Sequence, residues 1–203
     1  MALPPGNAWM SEAEYLAFER ASEIKHEYIE GEIYAMAGAS REHNLICTSV
    51  SFILYGQLRG KKCEIYPSDM RVKIQAAGRY TYPDISIVCG EPEFADGKFD
   101  TLLNPVVLIE VLSDSTEAYD RGDKFQHYRQ IASLQHYLLI SQNQARIESY
   151  TRKTDGTWIF MDTVGLQASL KLDSIQCTIP LAGIYETVTF GDQSSETTTT
   201  STE

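Results

Sequence analysis

Two apolar stretches of this chain each carry a single carboxylate. Tyr80-Thr-Tyr-Pro-Asp-Ile-Ser-Ile-Val88 holds Asp84, and Val106-Val-Leu-Ile-Glu-Val-Leu112 holds Glu110. A charge inside an apolar strand is costly to bury unless it is paired or coordinates a metal, so two of them predict a shared cation. Alternation of side chains puts Asp84 on the face of Tyr82 and Ser86, and Glu110 on the face of Val106, Leu108 and Leu112. The segment after the second stretch begins with cap-type residues and acids and then takes a helical period. Phe125, Tyr128, Ile131 and Ala132 form its apolar arc, and Lys124 falls on that arc, so it is expected to point inward. Arg121 shares the arc and is the rival cation.

An inward lysine beside two strand acids is the minimum set for metal-assisted phosphodiester hydrolysis. Hard oxygen ligands suit Mg2+ or Mn2+ rather than zinc. Asp84 and Glu110, with the backbone carbonyl of Val111, are the expected ligands. Lys124 would orient the attacking water or offset charge on the phosphate, and Tyr128, one turn further on, would anchor Lys124 or a phosphate.

The elements that must position these groups are read from pattern. Ser11-Glu-Ala-Glu14 has capping-box spacing and opens a short helix through about Ala21. His26 to Met36 reads as a hairpin around Glu30-Gly31, and Ser40 to Gly60 as an amphipathic helix carrying His43 in its first turn. Cys63 to Tyr66 and Met70 to Ile74 read as strands, with Arg71 and Lys73 facing outward. Gly90 to Pro105 reads as a connecting loop able to close over substrate. A helix over Thr116 to Ala132 and a strand over Gln135 to Ile140 complete a crossover unit with a parallel strand pair. Arg146 to Arg152 and Thr157 to Val164 form a further hairpin, followed by two short strands and a helical turn. The fold class is α/β, a central mixed sheet flanked by helices with additional β-hairpins.

The ordered set of motifs resembles a known family. Tyr-Pro-Asp84-Ile-Ser, Val-Leu-Ile-Glu110-Val-Leu-Ser-Asp-Ser-Thr, Asp120-Arg-Gly-Asp-Lys124-Phe-Gln-His-Tyr128 and the Tyr137-Leu-Leu-Ile strand together resemble the Uma-two type of restriction endonuclease, within the PD-(D/E)XK nuclease superfamily. The resemblance runs from about Ser11 to about Thr189 and implies a restriction-endonuclease-like core, DNA as partner and Mg2+ or Mn2+ as cofactor. It also implies that a glutamate of the first hairpin approaches the metal, for which Glu27 and Glu32 fit, and that a histidine stands where His43 does. The superfamily's Glu-x-Lys would put a lysine at position 112, where this chain has Leu112; in the family resembled, the lysine comes from the following helix, which Lys124 matches.

The 203 residues, 43% of them hydrophobic, predict one endonuclease-like domain over 11–189, with a flexible N-terminus over 1–10 and a disordered polar tail over 190–203. The N-terminus lacks a signal peptide's pattern, which predicts a cytoplasmic protein without a membrane partner. Cys47, Cys63, Cys89 and Cys177 make no Cys-x-x-Cys pair and read as free thiols. A net charge of -11 runs against phosphate binding, unless Arg41, Arg59, Lys61, Lys62, Arg71, Lys73 and Arg79 form a local basic rim. That charge motivates the alternatives: a catalytically degenerate nuclease-fold module that binds nucleic acid or protein, and a hydrolase of another substrate working through Asp84 and Glu110. A homodimer would suit the cutting of two strands.

Overall fold

The computed structural model describes residues 9–190. Most of the expected flexible N-terminus and nearly all of the expected polar tail fall outside the described residues.

α1 (Glu12–Glu19) begins at a capping box: the Ser11 side chain accepts from the Glu14 N–H, and the Glu14 carboxylate accepts from the Ser11 N–H. β1 (His26–Ile29) and β2 (Glu32–Ala35) form the expected hairpin, reversing through Glu30 and Gly31 at φ of 53° and 96°. α2 (Arg41–Leu58) is capped by Ser40 and buries Ile46, Val50, Leu54 and Leu58 along one stripe. At about 1.5–3 kcal/mol per side chain, that stripe contributes roughly 6–12 kcal/mol as an upper bound, enough to fix the helix against the sheet beneath it.

β3 (Cys63–Pro67), β4 (Arg71–Ile74), β5 (Arg79–Thr81) and β6 (Ile85–Cys89) come next. The stretch from Tyr80 to Val88, expected as one strand, is therefore two, in different sheets. The break falls at Tyr82-Pro83-Asp84, where Pro83 has no N–H to give a ladder. Asp84 consequently stands at the mouth of β6 rather than within it. β7 (Thr101–Leu102) pairs in parallel with β4, so part of the expected free loop belongs to a sheet.

β8 (Val107–Val111) carries Glu110. The helix expected over Thr116 to Ala132 is shorter and irregular: α3 (Glu117–Tyr119), a π-turn (Asp120–Lys124) and α4 (Phe125–Tyr128). Beyond Tyr128 the chain closes into tight turns, with Ile131 N–H donating to Tyr128 O and Leu134 N–H to Ile131 O. β9 (His136–Ile140) then runs parallel to β8, as the crossover reading requires. β10 (Arg146–Arg152) and β11 (Trp158–Val164) form the expected hairpin, and β12 (Ser169–Leu172), β13 (Cys177–Pro180) and α5 (Leu181–Ile184) close the described chain.

The central sheet has the order β11-β10-β9-β8-β6-β3, and a second has the order β2-β1-β5-β4-β7. One face of the central sheet, through Ile85, Ile87, Val107, Ile109 and Leu138, packs on α2, the β12–β13 pair and α5. The other face, through Val88, Leu108, Leu112 and Leu139, packs on Tyr128 and Ile131 of the helical segment and on Val72, Ile74 and Leu102 of the second sheet. This is the mixed α/β architecture expected.

Two further expectations need correction. Cys63 lies opposite Cys89 in the β3–β6 ladder, with Cα atoms 4.0 Å apart, and their sulfurs are bonded; Cys47 and Cys177 are free. Arg71, expected to face solvent, is buried, because α1 and β7 cover that side of β4. Its guanidinium meets Tyr82, Thr101 and Asp100.

Candidate active site

β6 and β8 are antiparallel neighbours with Ile85 opposite Ile109, so one further step of the register brings Asp84 opposite Glu110. Asp84 is fixed there by the Val111 N–H, which donates to its Oδ2 at 2.7 Å. In an extended strand the N–H and C=O of one residue leave on the same side, so the Val111 carbonyl also faces β6 and Asp84. Glu110 shares its face of β8 with Leu108 and Leu112 and projects toward the helical segment, as the alternation predicts.

Lys124 reaches the same point from the π-turn. Its ammonium lies 2.8 Å from Glu110 Oε1, 3.3 Å from Asp120 Oδ1 and 3.8 Å from Glu27 Oε1, and the side chain is 8% exposed. The wide turn matters because an extra residue in one helical turn rotates every later side chain about the helix axis. Asp120 and Lys124 are both buried although they begin and end the turn. Tyr128 donates to Glu110 Oε1 at 2.9 Å and is itself 3.1 Å from Thr81 Oγ1. Its hydroxyl anchors Glu110, while the Lys124 ammonium lies 5.9 Å from its ring centroid. Glu27 is held by the Tyr82 N–H at 3.3 Å.

Glu110, Asp120 and Glu27 thus surround one buried ammonium, and Asp84 stands opposite Glu110 in the strand register. Burial lifts the Glu110 carboxyl well above the usual range; Asp120 and Asp84 push the same way, and Lys124 opposes them. Burial disfavours the charge on Lys124, yet Glu110, Tyr128, Glu27 and Asp120 together hold its ammonium above the usual lysine range. Although 3.3 Å from the ammonium, Asp120 Oδ1 has no hydrogen-bond partner among the described residues. Three carboxylates against one cation, with Asp84 acting on Glu110 as well, leave this corner short of positive charge, and every carboxylate donor is a hard oxygen. That set suits a divalent ion such as Mg2+ or Mn2+, which Asp84 and Glu110, opposite each other in the strand register, would hold with the Val111 carbonyl.

The remaining candidates divide. His43, in the first turn of α2, reaches Asp84 Oδ2 with Nε2 at 3.1 Å and so joins the site. Glu32 does not: it is exposed at the end of the hairpin and accepts from Tyr34. Arg121, the rival cation, turns the other way and grips Glu148 with two nitrogens at 2.9 and 3.1 Å, because the π-turn rotates it off the inward arc. The supposed basic rim loses three members to internal pairs: Arg71 with Asp100, Lys73 with Glu12 and Arg79 with Glu30. The loop from Gly90 to Pro105 is tied down where Arg20 bonds Asp96 and Asp100. Asp120 and Thr81 belong to the site without being among the residues the sequence singles out. Asp120 has a readable signal, its place four residues before the inward lysine; Thr81 has none.

Comparison with known proteins gives relatives along nearly the whole chain. The Uma2 family, described as "Putative restriction endonuclease", matches residues 12–182. Two uncharacterized proteins of Synechocystis sp. are similar. One, slr1290, is 39% identical over 89% of this chain and 94% of its own length; the other, sll1609, is 38% identical over 80% and 92%. A crystal structure of a putative nuclease belonging to DUF820 from Anabaena variabilis superposes with a TM-score of 0.73. It covers 87% of this chain and 98% of that one at 16% identity, which carries the fold.

Proposed function

Since the chain belongs to the Uma2 family of restriction-endonuclease type, we propose that it is a metal-dependent endonuclease of the PD-(D/E)XK type that hydrolyses phosphodiester bonds in DNA. One observation carries the reading: Glu27, Glu110 and Asp120 are gathered around a single buried lysine, and Asp84 stands opposite Glu110 in the register of the two paired strands. Family membership supports a nuclease; the metal and the DNA substrate are our inference.

In this proposal Asp84, Glu110 and the Val111 carbonyl hold Mg2+ or Mn2+. When bound, the ion supplies Lewis-acid polarisation of the phosphate and acidifies water. The protein's own groups do the rest. Tyr128 fixes the Glu110 carboxylate, Asp120 and Glu27 hold Lys124 extended, and the Lys124 ammonium lies where it can orient the attacking water or offset charge developing on the phosphate. His43 steadies Asp84 from the α2 side. Residues 11–189 would act as one unit, and a dimer would present two such sites to a duplex.

The test is cleavage of plasmid and linear DNA with Mg2+ or Mn2+, comparing the wild type with Asp84→Asn. Metal-dependent cutting lost in the variant is the expected result. The alternative, a nuclease-fold module that binds without cutting, is favoured by the net charge of -11 and by the internal pairing of Arg71, Lys73 and Arg79. DNA binding with no cleavage under any divalent metal would establish it instead.

A further inference from the structure

α2 brings a third kind of ligand to Asp84. His43 and Cys47 are four residues apart on this helix and so lie on one face. Their side chains form a chain of contacts ending at the acid: Cys47 Sγ is 3.5 Å from His43 Nδ1, and His43 Nε2 is 3.1 Å from Asp84 Oδ2. One ligand atom from each of the three residues lies within 4.8 Å of the other two. Ligand atoms around a tetrahedral zinc stand roughly 3.3–3.8 Å apart, so small side-chain movements would close this group on an ion. His43 and Asp84 are each 15% exposed, which leaves a path from solvent.

A thiol and an imidazole are poor choices for Mg2+ but good ones for a thiophilic ion. Nothing in the oxygen-donor site calls for sulfur.

We propose that His43, Cys47 and Asp84 form a second metal site, selective for a thiophilic divalent cation such as Zn2+, which shares Asp84 with the Mg2+-type site and blocks it when filled. Binding releases one proton, from the Cys47 thiol; His43 coordinates through one ring nitrogen and carries its single proton on the other. A fourth position remains open to water. The blocking clause rests on the nuclease reading above, whereas the site itself does not.

The experiment titrates the metal-free full chain with Co2+ as a spectroscopic stand-in for Zn2+, reading the near-ultraviolet thiolate-to-cobalt charge-transfer band and its displacement by Zn2+. The band is expected in the wild type and absent in Cys47→Ser, a near-isosteric change whose folding is checked by thermal melting. Because losing an outer-shell partner alone costs about 10–100-fold in metal affinity, losing the thiolate should weaken Zn2+ binding on the order of 100-fold or more. No band in the wild type, or an undiminished band in Cys47→Ser, overturns the site. In the cleavage assay, Zn2+ should inhibit the Mg2+-supported wild type, and Cys47→Ser should need on the order of 100-fold more Zn2+ for the same inhibition. Equal inhibition of both proteins overturns the blocking role. Absence of Mg2+-supported cleavage with the Co2+ band present would remove the nuclease reading and leave the site standing.

Discussion

Replacing Lys124 by methionine isolates the charge balance on which the site depends. The ammonium lies 2.8, 3.3 and 3.8 Å from carboxylates of Glu110, Asp120 and Glu27, all three of which are buried or nearly so. Methionine fills much the same volume and removes only the charge, leaving three acids facing one another. Removing one partner of a buried pair costs about 3–5 kcal/mol. For a chain of this size each kcal/mol moves the melting temperature by about 2–4 °C, so Lys124→Met should melt roughly 6–20 °C below the wild type at pH 8 without metal. As pH falls the deficit should shrink, since Glu110 already holds its proton more tightly than an ordinary carboxylate. Mg2+ should restore part of the loss by supplying positive charge, while DNA cleavage stays down on the order of a hundredfold. Arg121→Met is the control: that side chain is 34% exposed and its partner Glu148 is also held by Arg146, so the change should cost less than about 1 kcal/mol. A Lys124→Met protein that melts within about 2 °C of the wild type at pH 8 in EDTA would refute the reasoning.

Two further outcomes concern the frame around the site. Burial holds His136 down to about 4, so between pH 6.5 and 4 the unfolded chain takes up a proton that the folded one refuses, and stability falls as pH falls through that window. The ceiling on this loss is about 3 kcal/mol, and His136→Gln should flatten that part of the stability–pH curve measured by urea unfolding. The Cys63–Cys89 bond closes 26 residues, for which chain entropy gives a stabilisation of about 3.5 kcal/mol; reduction with dithiothreitol, or Cys63→Ala, should lower the melting temperature accordingly, and an unchanged value would show that the cross-link adds nothing to the β3–β6 ladder.

Much of this arrangement is legible in the sequence, because the signals are local and periodic. Glu110 stands out as one charge in seven residues of strand, and Lys124 as a cation on an apolar arc. The crossover from β8 to β9 is implied by strand, helix and strand lengths. The features that escape are non-local or irregular. A period of 3.6 cannot express a π-turn, so it turns Arg121 inward when that side chain meets Glu148, and it passes over Asp120. Alternation along β4 places Arg71 in solvent because nothing nearby in sequence announces that Asp100 and Tyr82 cover it. Pro83 is the one local signal that alternation overrides: a residue with no N–H between two strand-like runs marks where the chain passes from one sheet to the other.

A cation held between Asp84 and Glu110 is the central claim, and crystals grown with Mn2+ test it most directly. Anomalous diffraction should place a manganese peak between those two carboxylates, within coordinating reach of the Val111 carbonyl and beside the Lys124 ammonium. A fully occupied manganese elsewhere on the protein, with Asp84 and Glu110 still bonded only to His43, Val111, Tyr128 and Lys124, would contradict it.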